Sequence, residues 1–122
     1  MESILTSIKK LLGIAEEYEH FDSDIMIHIN SAFSILNQLG VGPEEGFAIK
    51  DKTAAWSDFI QDEQNIESVR SYVYLKVKLL FDPPLSSAVM ESINRSINEL
   101  EWRLNAAVDT KNIEQEEVIQ NG

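Results

Sequence analysis

The amino-acid sequence predicts an all-α fold, a compact bundle of four to five helices with a proline corner between the central helix and a long C-terminal helix. Two observations support this fold class. Apolar residues recur at three- and four-residue steps through most of the 122 residues, which is the spacing of one helical face. Pro83 and Pro84 interrupt that pattern, and they end a helix because the residue before a proline disfavours helical geometry.

Two amphipathic helices are predicted in the first third of the chain. The first covers residues 4–12, with Ser3 as its N-cap and Gly13 as a left-handed stop. The second covers residues 23–39, with Asp22 as its N-cap. Each helix has one apolar face, so both are expected to pack against a shared core.

The middle of the chain has a weaker pattern that is followed by a strongly apolar helix. A short extended piece is predicted at residues 47–49, and a helix of one or two turns around Trp56. The fourth helix is predicted from Asn65, as its N-cap, to Phe81. Because its apolar residues cover more than one face, it is expected to be the central, buried helix.

The proline corner separates the fourth helix from the fifth. It consists of three residues, Asp82, Pro83 and Pro84. Ser86 or Ser87 can cap the fifth helix, whose single apolar stripe ends at Leu104. These boundaries predict a helical domain over residues 1–104 and an acidic tail over residues 105–122, where the periodic pattern fades.

Charge and composition restrict the class of protein. The chain has 21 acidic and 10 basic residues and a formal net charge of -11, which argues against a sequence-reading nucleic-acid binder. An acidic surface usually keeps a protein soluble. A more specific role is that of a surface that must not adhere to DNA. Because Lys9 and Lys10 interrupt the first apolar run, neither a signal peptide nor a membrane span is predicted.

Residues with catalytic or metal-binding potential are few. Glu17 and His20 have the Glu-x-x-His spacing of di-iron bundles, but His28, the other histidine, has no glutamate three residues before it. The three glycines within residues 40–46 match no phosphate-binding loop. With no cysteine in the chain, a thiolate nucleophile and a thiolate metal site are also excluded. The prediction is a protein without catalytic residues, cofactor or metal.

Aromatic residues supply the candidates for an interface. Trp102 lies beside Arg103 and away from the apolar stripe of the fifth helix, and aromatic residues are enriched where protein surfaces meet. Core packing is the commoner role for a residue such as Trp56, which is nevertheless kept as a candidate. The candidate interface residues are Trp56, Trp102, Arg103, Ile113, Val118 and Ile119.

The order of these elements resembles the small all-helical head-to-tail connector proteins of tailed phages. The similarity covers residues 3–104 and is strongest over residues 66–104, where a helix is followed by the "FDPP" corner and the "ELEWRL" helix. That succession is its most specific part, because amphipathic helices alone occur in many bundles.

The resemblance implies a structural virion protein and not an enzyme. Such proteins form a ring, usually of twelve subunits, beneath the portal of the filled capsid, and they extend the DNA channel. The implied partners are further copies of the chain, the portal protein and a downstream connector or tail-completion protein, with non-specific passage of double-stranded DNA and no membrane. The implied location is the virion neck, with the host cytoplasm during assembly. A terminal segment reaches the portal, so the tail over residues 105–122 is expected to be ordered by a partner.

Two other functions are compatible with the sequence. One is a small acidic binding protein, or DNA-mimic inhibitor, that acts on a nuclease or a repressor and needs carboxylates spaced like phosphates. The number of subunits distinguishes this function from a ring. The other is a metal-dependent helical enzyme built on Glu17 and His20, which would retain bound metal after purification without chelator.

Overall fold

Five helices form the described part of the chain. The computed structural model describes the backbone of residues 2–121 and the side chains of residues 2–109. The helices are α1 (Ile4–Leu11), α2 (Asp22–Gln38), α3 (Trp56–Phe59), α4 (Glu63–Phe81) and α5 (Ser87–Asn121). No strand occurs in the described backbone, which contains one isolated bridge between Ser3 and Ala55. The predicted all-α class and the corner between α4 and α5 are therefore confirmed.

Helix α4 is central, because it packs against α1, α2 and α5. The rings of Phe21, just before α2, and Phe81, at the end of α4, are 5.3 Å apart. The side-chain amide of Asn105 on α5 donates to the backbone carbonyl of Leu39, just after α2, at 3.3 Å. Helices α2 and α5 therefore run in the same direction, and α4 runs in the opposite direction.

The core lies between α1, α2 and α4, and the short helix α3 closes one side of it. The fully buried apolar residues of α1, α2 and α4 are Ile4, Ile8, Ile25, Ile29, Phe33, Leu36, Val69, Tyr72, Val73 and Val77. Helix α5 adds Ile97 and Leu104, which confirms the C-terminal half of its predicted stripe, whereas Val89 at the start of the stripe is exposed. The core thus holds α4 and the middle of α5 in fixed positions.

The starts of two helices differ from the prediction. Helix α2 includes Asp22 in its first turn, and Phe21 occupies the N-cap position without a side-chain hydrogen bond. Asp22 does not cap the helix because its carboxylate is paired with Lys9 at 2.8 Å.

The N-cap of α4 is Asp62, whose carboxylate accepts from the backbone of Gln64 at 3.0 Å. The predicted cap, Asn65, instead donates to Asp62 at 2.7 Å.

The predicted extended piece at residues 47–49 forms no strand. Its backbone is held by the side chain of Asn30 on α2, which accepts from the N–H of Ile49 at 2.8 Å and donates to its carbonyl at 3.0 Å. The amide side chain therefore replaces the hydrogen bonds that a neighbouring strand would supply.

The predicted end of the fifth helix was wrong. Helix α5 continues past Leu104 to Asn121, so the predicted domain boundary falls inside one helix. The stretch after Leu104 contains neither proline nor glycine before residue 122. Val108 packs against the core and lies beside Gly40, just after α2. None of the helices in the described part of the chain has the length and apolar content needed to span a bilayer.

Candidate assembly interface

The corner between α4 and α5 is built from hydrogen bonds at both of its ends. The backbone N–H of Asp82 donates to the carbonyl of Lys78 at 3.0 Å, and the two side chains form an ion pair at 2.6 Å. At the other end, Ser86 Oγ accepts from the backbone of Val89 at 3.4 Å. Hydrogen bonds therefore hold the end of α4 and the start of α5, and the two prolines between them restrict the backbone to a narrow range of conformations.

The corner carries apolar side chains that do not contribute to the core. We call this region the corner surface, and it consists of Leu80, Asp82, Pro83, Leu85 and Val89. The side chain of Leu85 is fully exposed, and Leu80 and Val89 are each about half exposed. Because grouped apolar side chains on the surface mark interaction sites, the corner surface is a candidate contact.

A second candidate surface lies on α5. Trp102 is 72% exposed. At 3.6 residues per turn it lies roughly 140–160° around the helix from the buried Ile97 and Leu104. Arg95 lies about two turns earlier on the same side. We call this surface, formed by Arg95, Asn98 and Trp102, the outer face of α5.

Arg103 lies beside the outer face of α5 and is exposed. Its guanidinium forms an ion pair with Glu99 at 2.6 Å, one turn earlier on the helix. Both side chains are about 60% exposed, so solvent screens the pair and it adds little stability. The predicted candidates Trp102 and Arg103 are thus both available to a partner.

The structure places Trp56 inside the core. Its ring is 2% exposed, and its indole N–H donates to Ser7 Oγ on α1 at 2.8 Å. It also packs edge-on against Phe33. Trp56 lies three residues before the buried Phe59, and this one-turn apolar spacing was the sequence signal for a core position.

The remaining candidates are three apolar residues near the C-terminus and the three residues of the corner. The side chains of Ile113, Val118 and Ile119 lie outside the described residues. Asp82 and Pro83 are exposed and Pro84 is partly buried, so the predicted corner residues are brought together with Leu85 at one end of the molecule.

An aromatic cluster in the connection between α1 and α2 was not predicted. We call it the linker cluster, and it consists of Tyr18, His20, Phe21 and Phe81. Phe21 is at the centre, with ring centroids 5.8 Å from Tyr18, 4.9 Å from His20 and 5.3 Å from Phe81. Tyr18, His20 and Phe21 are exposed, so the cluster presents aromatic surface to solvent.

Lys9 fixes the linker that carries this cluster. Its ammonium is buried on α1, where it donates to the backbone carbonyls of Glu16 at 2.9 Å and Tyr18 at 2.7 Å. It also forms the ion pair with Asp22. A buried ammonium must be compensated in this way, and the consequence is that a connection without helical structure is held in one conformation.

The position of α5 on α4 is fixed by a hydrogen bond. The hydroxyl of Tyr72 donates to Glu101 Oε1 at 2.8 Å. Burial, together with the hydrogen bond to the Glu101 carboxylate and its charge, raises the pKa of Tyr72 above its usual value of 10.0. Tyr72 therefore remains a donor at physiological pH, and it orients the outer face of α5 away from the bundle.

A cavity of about 350 Å³ lies where the second half of α5 crosses the loops around α3. Its walls include Gly40, Phe59, Asn65, Leu104 and Val108. No acid, base and nucleophile converge there, and the described side chains contain no group of three His, Asp or Glu residues that could hold a metal ion.

Glu17 and His20 are not on one helical face. Both lie in the linker between α1 and α2, outside any helix, so their three-residue spacing does not bring the side chains together as it would in a di-iron bundle. His20 packs against Phe21 instead.

Comparison with known proteins identifies the family. A family model described as "Phage connector protein" matches residues 4–111, which include α1, α4, the corner and the outer face of α5. Searches of curated proteins and of solved structures gave no match. Since the family model covers most of the chain, this protein belongs to the phage connector protein family.

Proposed function

We propose that the protein is a structural subunit of a ring that joins the portal of a filled phage capsid to the tail and extends the DNA channel. The match of residues 4–111 to the phage connector family is the observation that carries this proposal. A ring of twelve subunits is the number that the family resemblance implies. The protein acts in the virion neck after assembly in the host cytoplasm, and it needs no catalytic residue for this role.

The exposed surfaces of the monomer support a role in assembly. A closed ring of identical subunits requires two different contact surfaces on each subunit. The corner surface, the outer face of α5 and the linker cluster all present apolar or aromatic side chains to solvent. A rigid body with several such surfaces has what a ring subunit needs.

The C-terminal part of α5 is proposed to contact the portal or a neighbouring subunit. Helix α5 has 35 residues and α4 has 19, so at 1.5 Å per residue their lengths are about 52 Å and about 28 Å. The C-terminal half of α5 therefore extends beyond the length that can pack against α4. Ile113, Val118 and Ile119 in this part are the proposed apolar contacts with the partner.

The net charge supports passage of DNA without adhesion. Each chain carries a formal charge of -11, and a ring multiplies this charge by its number of subunits. At physiological salt, acidic groups within about 8 Å of the DNA would repel its phosphates. The duplex would then pass through the ring without lasting contact with its wall.

The test is native mass spectrometry of the full chain, alone and mixed with the portal protein encoded in the same genome. The proposal predicts either a ring of the chain alone or about one connector subunit for each portal subunit. A monomer or dimer that does not bind the portal would contradict it. That result would instead favour a small acidic inhibitor of a nuclease or a repressor.

A further inference from the structure

We propose that the ring contact is made between two specific surfaces, the outer face of α5 on one copy and the linker cluster on the next. The inference rests on the proposed function, because it names the contact by which one subunit would bind its neighbour. It commits to a second copy of this chain as the occupant of both surfaces.

The two surfaces are far apart on one subunit. The linker cluster includes Phe81 and so lies at the corner end of the bundle. Trp102 lies 15 residues beyond Ser87, the first residue of α5, which corresponds to about 22 Å along the helix. It also faces away from the bundle. Separate surfaces that contact each other head to tail are the geometry from which rings are built.

The aromatic content of the two surfaces is complementary. Trp102 offers a large flat ring that its own subunit does not cover. The linker cluster offers the exposed faces and edges of Tyr18 and Phe21. Aromatic rings attract each other in edge-to-face and offset arrangements, and this attraction is additional to the burial of their apolar area.

One charged group of the outer face, Arg95, is also complementary to the linker, whereas Glu91 one turn before it on α5 is an exposed carboxylate. Arg95, on the outer face of α5, forms no ion pair with any described residue. The linker cluster is bordered by Glu16, Glu17 and Glu19, which are exposed and equally without an ion pair in the described part of the chain. Docking would place an unpaired cation beside three unpaired carboxylates, which favours this pairing of surfaces over a contact of either surface with itself.

The linker cluster is also rigid enough to serve as a docking surface. Lys9 holds the backbone at Glu16 and Tyr18 by two hydrogen bonds. The backbone that carries Tyr18 is therefore already in position before a neighbour arrives, and less conformational entropy would be lost on binding.

The absence of cysteine in the chain allows a direct test. Two full-length single variants are mixed and treated with a short bismaleimide crosslinker. They are Asn98→Cys, on the outer face of α5, and Ser23→Cys, two residues after Phe21; both positions are exposed, and the substitutions leave the aromatic rings of both surfaces in place. We expect a covalent dimer that contains one copy of each variant, and much less dimer when either variant is treated alone. Strong dimers of one variant alone, with none of the mixed dimer, would overturn the inference.

A charge exchange tests the same contact without crosslinking. Arg95→Glu is expected to raise the concentration needed for half-assembly by about tenfold, and Glu17→Arg in the same chain is expected to restore most of it. Lys52→Glu, which reverses another exposed cation away from both surfaces, is the matched control and is expected to have a smaller effect. If Arg95→Glu and Lys52→Glu weaken assembly equally, the inference is wrong.

The failure of this inference can be distinguished from the failure of the proposed function. If the unmodified chain forms rings, alone or on the portal, but the mixed variants do not crosslink, the ring uses other surfaces and only the inference fails. If the unmodified chain forms no ring in either condition, the proposed function fails and the inference fails with it.

Discussion

The hydroxyl of Tyr72 on α4 donates a 2.8 Å hydrogen bond to the carboxylate of Glu101 on α5. Glu101 precedes the exposed Trp102 directly in the chain. The hydrogen bond fixes the rotation of α5 about its axis, because one residue of the helix is held against the core. The neighbouring residue is then directed to solvent, where a second subunit can reach it.

Tyr72→Phe is expected to lower the free energy of unfolding at pH 7 by about 1–2 kcal/mol, because the hydrogen bond to a charged group is lost while the ring remains. The folded-state pKa of Tyr72 is raised above 10.0, so its contribution is complete below pH 10 and is lost as the pH rises further. As the pH rises above 10, the free energy of unfolding should therefore fall less in the variant than in the unmodified chain. Urea unfolding at pH 7 and at a pH above 10 measures both effects, with Tyr74→Phe as the control on the same helix.

Replacement of Pro83 and Pro84 together by alanine is expected to impair ring assembly more than folding. Alanine would let the chain between α4 and α5 adopt helical geometry, so the angle between the helices would vary. Native mass spectrometry measures assembly, and thermal unfolding followed by circular dichroism measures folding. Pro43→Ala, in the loop after α2, is the control. A double variant that forms normal rings would refute this role of the corner.

Lys9→Met is expected to lower the free energy of unfolding by about 2–4 kcal/mol, since it leaves the Asp22 carboxylate and two backbone carbonyls without their donor. The side chain of Asp22 is 23% exposed, so water compensates for part of the loss. Lys10→Met removes an exposed lysine of the same helix and should cost much less. Chemical denaturation measures the free energy of unfolding of both variants. Equal losses would show that the buried Lys9 ammonium contributes no more to stability than an exposed lysine does.

Gly42→Ala is expected to destabilise the protein by about 2–4 kcal/mol, because the added methyl group would collide with the ring of Phe59 and the backbone has a φ of +88°. Gly46→Ala is the matched control, since its φ is +93° but no atom lies within 4 Å of the added carbon. It should lose only about 1 kcal/mol for backbone strain. Thermal unfolding of the two variants distinguishes the cost of the collision with Phe59 from the cost of backbone strain. Similar losses of stability in both variants would show that the collision contributes nothing.

Assembly is expected to strengthen as salt rises to moderate concentrations. Subunits with a formal charge of -11 repel each other over long distances, and salt screens that repulsion. The attraction of Arg95 to a few linker glutamates is a smaller term of opposite sign. Sedimentation velocity over a salt series measures the balance, and rings that weaken steadily with added salt would contradict this expectation.

Local sequence signals predicted most of the helices. Ser3 caps α1 by accepting from Thr6 at 3.2 Å, and Gly13 has the positive φ expected of a helix stop. The prolines ended α4 at Phe81 as predicted. Each of these signals depends on residues within a few positions of one another, and such signals are readable without a structure.

The features that were missed depend on contacts between distant parts of the chain. Lys9 was interpreted as a break in an apolar pattern, whereas its partners in the linker allow it to be buried. The linker cluster joins Phe21 to Phe81, which are 60 positions apart in the sequence. The length of α5 was underestimated because its apolar stripe ends at Leu104, although nothing in the following residues stops a helix.

Cryo-electron microscopy of the chain mixed with its portal protein is the sharpest test of ring formation. We expect a closed ring of this chain, coaxial with the portal channel and open along the axis for DNA. A portal without added density, or with single copies bound away from the axis, would contradict it.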